Sequence, residues 1–417
     1  MTPAPTKETP TRRPASQPRF GLLADALARP LASWYLVLVS SLLLISLGAL
    51  MVLSSSSVYA QNQFDDPYYL AKRQVFFLIF GLPVAAWLSF RKEATLKVLG
   101  WVAFLGSIVL LLAVFIPGVG SDANKGNQAW INIGGFSLQP SEFAKLGLVM
   151  WSAAVVSTKE RVLDRPRELL PLGLGFLAVE ILILAEKDLG TALVVAAIIF
   201  ALLWVLGIPG RMLGALAAAG LLAVALLVVT SPNRMRRIGH FLTGKPDANA
   251  SQQPLAAVYA LASGGWWGVG LGASRQKWGN LNDGAQNDFV FAVIGEELGL
   301  LGTLAVLVLF AALGYAGVRI AMRSDSIFMR TLSVGITSWI MFQAFVNMGV
   351  AMRLLPVVGV PLPFISAGGS ALFANILAVG VLLACARHEP AARAALAARR
   401  TGGEPRPKVT TVVDAGR

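Results

Sequence analysis

Ten apolar runs follow one another along the chain, at about residues 34–53, 74–90, 98–116, 142–158, 169–185, 190–207, 212–230, 289–316, 331–351 and 369–386, and they decide what it can fold into. A helix needs about 20 apolar residues to cross roughly 30 Å of hydrocarbon. A water-soluble globule of this size has no interior large enough for so many, so bilayer lipid must be the solvent. Composition agrees: 56% of the 417 residues are hydrophobic and 14% are charged, against about 25% charged in a soluble domain. The expected fold class is an all-α polytopic membrane protein of about ten transmembrane helices.

The domain plan follows from where apolarity stops. Residues 1–30, rich in Pro, Ala, Thr and Arg, read as a disordered tail; 31–389 as one membrane domain; and 390–417, Ala/Arg-rich and then Gly/Pro-rich, as a second disordered tail. The first run is longer than a signal-peptide core, so it is expected to be retained as a helix despite the faint cleavage pattern of Val58-Tyr59-Ala60. No internal repeat is evident. Ten spans put both termini on one side, and loops on the cytoplasmic side should hold the excess of Lys and Arg. With cytoplasmic termini, 23 of the 35 cations fall inside. This predicts a multi-pass protein of the cytoplasmic (inner) membrane, with a large extracytoplasmic loop over 231–288 between the seventh and eighth spans.

The formal charge of +13 does not indicate nucleic acid, because the cations punctuate apolar runs instead of lining one face. A single cysteine, Cys385, excludes an intrachain disulfide, and His240 and His388 stand alone. There is no phosphate-binding loop, hydrolase triad or strong metal motif. The chemistry must lie where charges meet apolar segments, since a charge at membrane depth costs about 2.5–3.5 kcal/mol on insertion scales.

Four such places occur, all on the predicted outer side. Glu142 and Lys145 stand three apart at the start of the fourth span, after Ser141 as an N-cap. They form either a structural ion pair or a cation aimed at an anionic substrate. Asp188, after Glu186 and Lys187, is either a turn residue or a site residue. Asp288, where the basic loop meets the eighth run, is positioned as an N-cap; a carboxyl at such an interface can also have the raised pKa of a general base. Glu296 and Glu297, two turns deeper, are expected to satisfy neighbouring polar groups. The fourth place is the loop itself, which carries Arg234, Arg236, Arg237, Arg275 and Lys277 and the segment Ser263-Gly264-Gly265-Trp266-Trp267-Gly268, a composition suited to the membrane interface. Its cations meet either a lipid-linked diphosphate or anionic headgroups. Together these features describe a site for an amphiphile with an anionic head.

The same residues carry a family resemblance over about 30–388. Gln139-Pro140-Ser141-Glu142 with Lys145, Asp188-Leu189-Gly190-Thr191-Ala192, Gly268-Val269-Gly270-Leu271-Gly272 running into Gln276-Lys277, Asp288-Phe289 through Gly295-Glu296-Glu297-Leu298-Gly299, and Leu355-Pro356 through Pro363-Phe364 with Gly368-Gly369-Ser370 stand in order. The chain resembles the SEDS family (shape, elongation, division and sporulation), and Met51 through Ser57 resembles its division branch more than its elongation branch. The resemblance implies a peptidoglycan glycosyltransferase that polymerises lipid II, with Asp288 as the catalytic base and release of undecaprenyl diphosphate. It implies substrate-binding roles around Glu142, Lys145, Asp188, Arg234, Arg236, Arg237, Arg275, Lys277 and Ser366. A divalent cation, Mg or Mn, without an organic cofactor is implied, as are a class B penicillin-binding protein and other divisome membrane proteins as partners, with no nucleic acid. The chain departs from the family pattern at Asn282–Asn287 before the aspartate, at Gln128-Ala129 in place of a basic pair, at Lys187 in place of proline, and at Ala367 in place of tyrosine. A flippase for the same precursor and a non-catalytic scaffold are the rival expectations.

Overall fold

A computed structural model describes residues 25, 27–121, 128–133, 136–158, 166–243, 252–279, 281 and 284–400. The expected tails at 1–24 and 401–417, and Lys125, Lys245, Asn282 and Asp283, lie outside the described residues.

Ten helices occupy the ten apolar runs: α1 (Ala32–Phe64), α2 (Tyr69–Ser89), α3 (Glu93–Ala113), α4 (Pro140–Thr158), α5 (Leu170–Ala185), α6 (Leu189–Val205), α7 (Gly210–Val229), α10 (Val290–Arg323), α11 (Ile327–Ala351) and α12 (Gly369–Arg387). Seven are long and apolar enough to cross a membrane, namely α1, α2, α3, α7, α10, α11 and α12, while α5 and α6 are shorter apolar helices. The tenth, α4, spends two of its 19 residues on Glu142 and Lys145. The protein is therefore an all-α polytopic membrane protein. Between α7 and α10 lie α8 (Pro232–Thr243), α9 (Gln253–Ser263) and a one-turn 3-10 helix at Gln276–Trp278.

The helices form shells around α4. Nearly every residue of α4 is buried, and α11 and α12 are close behind, whereas Leu213 is the one buried residue of α7. Small residues let the inner helices approach. A Cβ on Gly100 would lie 2.8 Å from the Met150 carbonyl oxygen, and one on Gly147 2.8 Å from that of Ala103, so α3 and α4 meet backbone to backbone. Without a hydrophobic force between helices in lipid, such close packing is what holds a bundle together.

Four features depart from the sequence expectations. The segment after 390 is not disordered as far as Arg400: Pro390–Arg400 forms helix α13, whose Ala392 is fully buried. The connection between α3 and α4 contains a small antiparallel sheet in the order β1 (Gly120–Ser121), β2 (Trp130–Ile133), β3 (Phe136–Leu138), with Ile131 facing Gly120 on one side and Leu138 on the other. Ser141 does not cap α4, which starts one residue earlier at Pro140.

Last, the eighth span is not continuous. At Gly299 the backbone turns to φ 69°, ψ −164°, and α10 breaks. The glycine-rich loop after α9 fills the break: Val269 and Gly270 donate to the Glu296 and Glu297 carbonyls at 2.9 and 3.1 Å, and Leu300 donates to the Gly265 carbonyl at 2.8 Å. Irregular backbone at this depth is tolerated because protein supplies the missing partners. Only glycine fits at 299, where a Cβ would lie 2.6 Å from the Trp266 carbonyl. Beyond the break the loop exposes Trp266 and Trp267 at 67% and 81%.

Candidate functional site

Asp288 sits in the tight turn that leads into α10. The N-cap position falls one residue later, on Phe289, whose side chain makes no cap hydrogen bond. The turn is gripped from two sides instead. Asn347 of α11 donates to the Asp288 carbonyl at 3.0 Å and to the Val360 carbonyl at 2.8 Å. Ser366, buried in the segment between α11 and α12, donates to the Asn287 carbonyl at 2.6 Å and accepts from the Leu362 amide at 2.8 Å. The Ala367 amide adds a bond to the Gln286 carbonyl at 2.8 Å. The Asp288 carboxyl faces Gly359, whose backbone lies at φ 82°; a Cβ there would be 3.9 Å from Asp288 Oδ2.

Four residues along α11 from Asn347, on the same face, Gln343 joins a second cluster to this one. Lys145 Nζ lies 2.8 Å from Glu142 Oε1 and 2.8 Å from Gln343 Oε1, and the Trp339 ring covers it at 4.9 Å. Gln343 then donates to the Pro361 carbonyl at 3.0 Å. Both side chains of the ion pair are 1% exposed. Glu142 and Lys145 pair with each other and are tied through Gln343 to the segment that holds Asp288.

Asp188 is both cap and connector. Its carboxylate accepts from the Thr191 amide and hydroxyl at 2.9 and 2.7 Å, which starts α6, and from Gln139 at 3.1 Å, just ahead of α4. Gly190 packs on Val358 and Val360. The segment 358–360 thus lies between the start of α6 and Asp288. Beside Asp188, the Glu186 carboxyl is fully buried with neither oxygen bonded to a described residue. Burial, and then the neighbouring Asp188, push it up to about 8.

The basic residues divide. Arg236 and Arg237 on α8 and Arg275 before the 3-10 turn are exposed. Arg234 donates to the Leu227 and Lys187 carbonyls at 3.1 and 3.2 Å, latching α8 to the Glu186–Asp188 turn. Lys277 is buried and pairs with Glu297 at 2.9 Å. Glu296 accepts from Ser274 at 2.5 Å and from the Arg275 amide at 2.9 Å, as expected of a residue that satisfies its neighbours. Among the described residues no group of three or more His, Cys, Asp or Glu is arranged to hold a metal ion.

The arrangement is a carboxylate on a turn held by Asn347, Ser366 and the Ala367 amide, at the end of the loop that carries the arginines. Residues 34–391 match the model of the FtsW/RodA/SpoVE "Cell cycle protein" family. The chain belongs to that family. The family member of Mycobacterium tuberculosis named "Probable peptidoglycan glycosyltransferase FtsW" is 38% identical over 385 residues, 92% of this chain and 72% of that protein, which bears out the division-branch resemblance. The Thermus thermophilus rod shape determining protein RodA superposes with a TM-score of 0.62 at 30% identity, covering 85% of this chain and 96% of that one. A chain of a peptidoglycan synthase complex, solved for its coordination of polymerization and crosslinking, gives a TM-score of 0.69 at 29% identity over 85% of this chain and 97% of its own.

Set in an FtsW/RodA/SpoVE fold, the site includes residues that the sequence reading passed over. Gln343 and Asn347 bridge the ion pair, the 355–368 segment and Asp288. Two amides four apart in an otherwise apolar span were the available signal.

Proposed function

We propose that this chain is a peptidoglycan glycosyltransferase that polymerises lipid II during septal wall synthesis. The observation that carries the reading is the clamped Asp288 turn, in a chain of this family. In this mechanism the Asp288 carboxylate accepts the proton of the acceptor sugar hydroxyl as its oxygen attacks the anomeric carbon of the lipid-linked donor. The glycosidic bond forms with inversion as the carbon–oxygen bond to the diphosphate breaks, and undecaprenyl diphosphate leaves with the electron pair. Arg275, Arg236 and Arg237, exposed on the loop, are the cations available to meet the charge that develops on it. Arg234 holds α8 in place. Glu142, Lys145, Asp188 and Ser366 act by fixing the 355–368 segment and the Asp288 turn. The resemblance implies a divalent cation, Mg or Mn; among the described residues no group of three or more His, Cys, Asp or Glu is arranged to hold one, and an ion bound through substrate phosphates and one or two carboxylates would not need such a group.

The cation distribution supports cytoplasmic termini in the inner membrane, with Asp288 at the outer face. A class B penicillin-binding protein is the proposed partner, supported by the likeness to a chain of a synthase complex; other divisome membrane proteins complete the setting.

The test is glycan-strand formation from purified lipid II by wild type and Asp288→Asn, each with and without a cognate transpeptidase. Wild-type product that falls by at least about a thousandfold in the variant, with normal insertion, is the expected result. Full activity of the variant would remove Asp288 from the mechanism. Transfer of lipid II across vesicle membranes without polymer would make the chain a flippase.

A further inference from the structure

We infer that Lys277 and Glu297 are positioning residues for Asp288, because their buried ion pair ties the chain before it to the chain after it. The inference rests on the reading of Asp288 as the base. Upstream of Asp288, the segment 274–277 comes back to meet α10 two turns below its start. Glu296 takes the Ser274 hydroxyl at 2.5 Å and the Arg275 amide at 2.9 Å, and Glu297 takes Lys277 Nζ at 2.9 Å and the Ser274 amide at 3.4 Å. The chain before Asp288, at 274–277, is thus tied to the chain after it, at Glu296 and Glu297. Backbone bonds link described residues between these ties: Leu281 to Gln276 at 3.2 Å, Gly284 to Leu281 at 2.9 Å, and Phe289 to Gly284 at 3.0 Å. The tie is also anchored outside this segment, since Ser54 of α1 lies 2.6 Å from Glu297 Oε2 and its carbonyl accepts from Lys277 at 3.1 Å.

The side chains of Lys277 and Glu297 are 2% and 0% exposed. Lys277 is therefore not presented to a substrate headgroup. A buried pair contributes little net stability compared with an apolar pair of like volume. What it supplies here is one defined position for each end of the segment that carries Asp288. A base must stand within hydrogen-bond reach of the proton it takes, and a displacement of 1 Å can cost about a hundredfold in rate.

The experiment compares Lys277→Met, Glu297→Gln and the double variant Lys277→Met/Glu297→Leu. Melting in detergent, kcat and KM on lipid II, and hydrogen–deuterium exchange of the peptide spanning 281–289 are read for each. The single variants strand a buried charge and are expected to melt lower. The double variant removes both charges and is expected to melt close to wild type, yet to keep a kcat at least about tenfold down with donor KM within about twofold. Its 281–289 amides exchange faster while those of α4 do not. Wild-type kcat and exchange in the double variant would reduce the pair to a structural one. A raised KM at unchanged kcat would instead make Lys277 a substrate contact. The exchange measurement stands even if wild type forms no polymer, so failure of the tie and failure of the glycosyl-transfer reading are told apart.

Discussion

Three carboxyl groups near the site end of the bundle have different fates because their neighbours differ. Glu142 has a cation, Asp188 has hydroxyl and amide donors, and Glu186 has neither among the described residues. Glu186 is therefore held above its ordinary range, from 4.5 to about 8, by burial first and by Asp188 second. A group that binds its proton more tightly folded than unfolded lowers stability as the pH rises through that window. Wild-type melting should therefore fall between about pH 4.5 and pH 8, and Glu186→Gln should flatten the slope; an unchanged slope would show that other groups set it. Lys145→Met leaves the Glu142 carboxylate buried without a cation and is expected to cost about 3–5 kcal/mol, read as a lower melting midpoint, with much of it recovered in Glu142→Leu/Lys145→Met. Glu142, Lys145, Asp188 and Asp288 were legible from sequence because charge beside apolar runs is rare. That Lys145 also meets Gln343 was not, since spacing along a helix says nothing of a residue on another.

At the scale of elements, α10 shows how a membrane helix can be interrupted without leaving polar backbone in lipid. The glycine-rich loop supplies the amides and carbonyls that the helix gives up at Gly299. Gly299→Ala is expected to destabilise by several kcal/mol, because the added methyl meets the Trp266 carbonyl and the backbone φ is positive. Gly106→Ala in α3 is the control: nothing lies within 4 Å of its Cβ, and a helix-interior alanine should stabilise by roughly 0.5–1 kcal/mol. Equal melting of the two variants would mean that the break is not held by the loop. Continuous apolarity over 289–316 predicted an unbroken span, since Gly295 and Gly299 look like ordinary small packing residues. The break comes from a loop that begins some thirty positions earlier, which no local pattern records. The helix at Pro390–Arg400 escaped notice for a related reason: its alanines and arginines resemble a solvated tail until Ala392 is buried against the bundle.

For the whole molecule, the proposed sidedness makes a direct prediction. In a Cys385→Ala background, Trp267→Cys should react with a membrane-impermeant maleimide on intact cells, and Arg399→Cys only after permeabilisation. The reverse pattern would invert the topology and move Asp288 to the cytoplasmic face. The ten apolar helices, their order and the polar positions among them were determined by the sequence alone, because hydrocarbon thickness and the cost of charge in lipid act on each segment independently of the rest. What only the tertiary structure decided is which polar groups meet. Lys145 turned to Glu142 and Gln343, Lys277 to Glu297, and Asp288 was left on a turn gripped by Asn347 and Ser366, because each of those partners comes from a different helix or loop and only the packing of the bundle brings them within a hydrogen bond of one another.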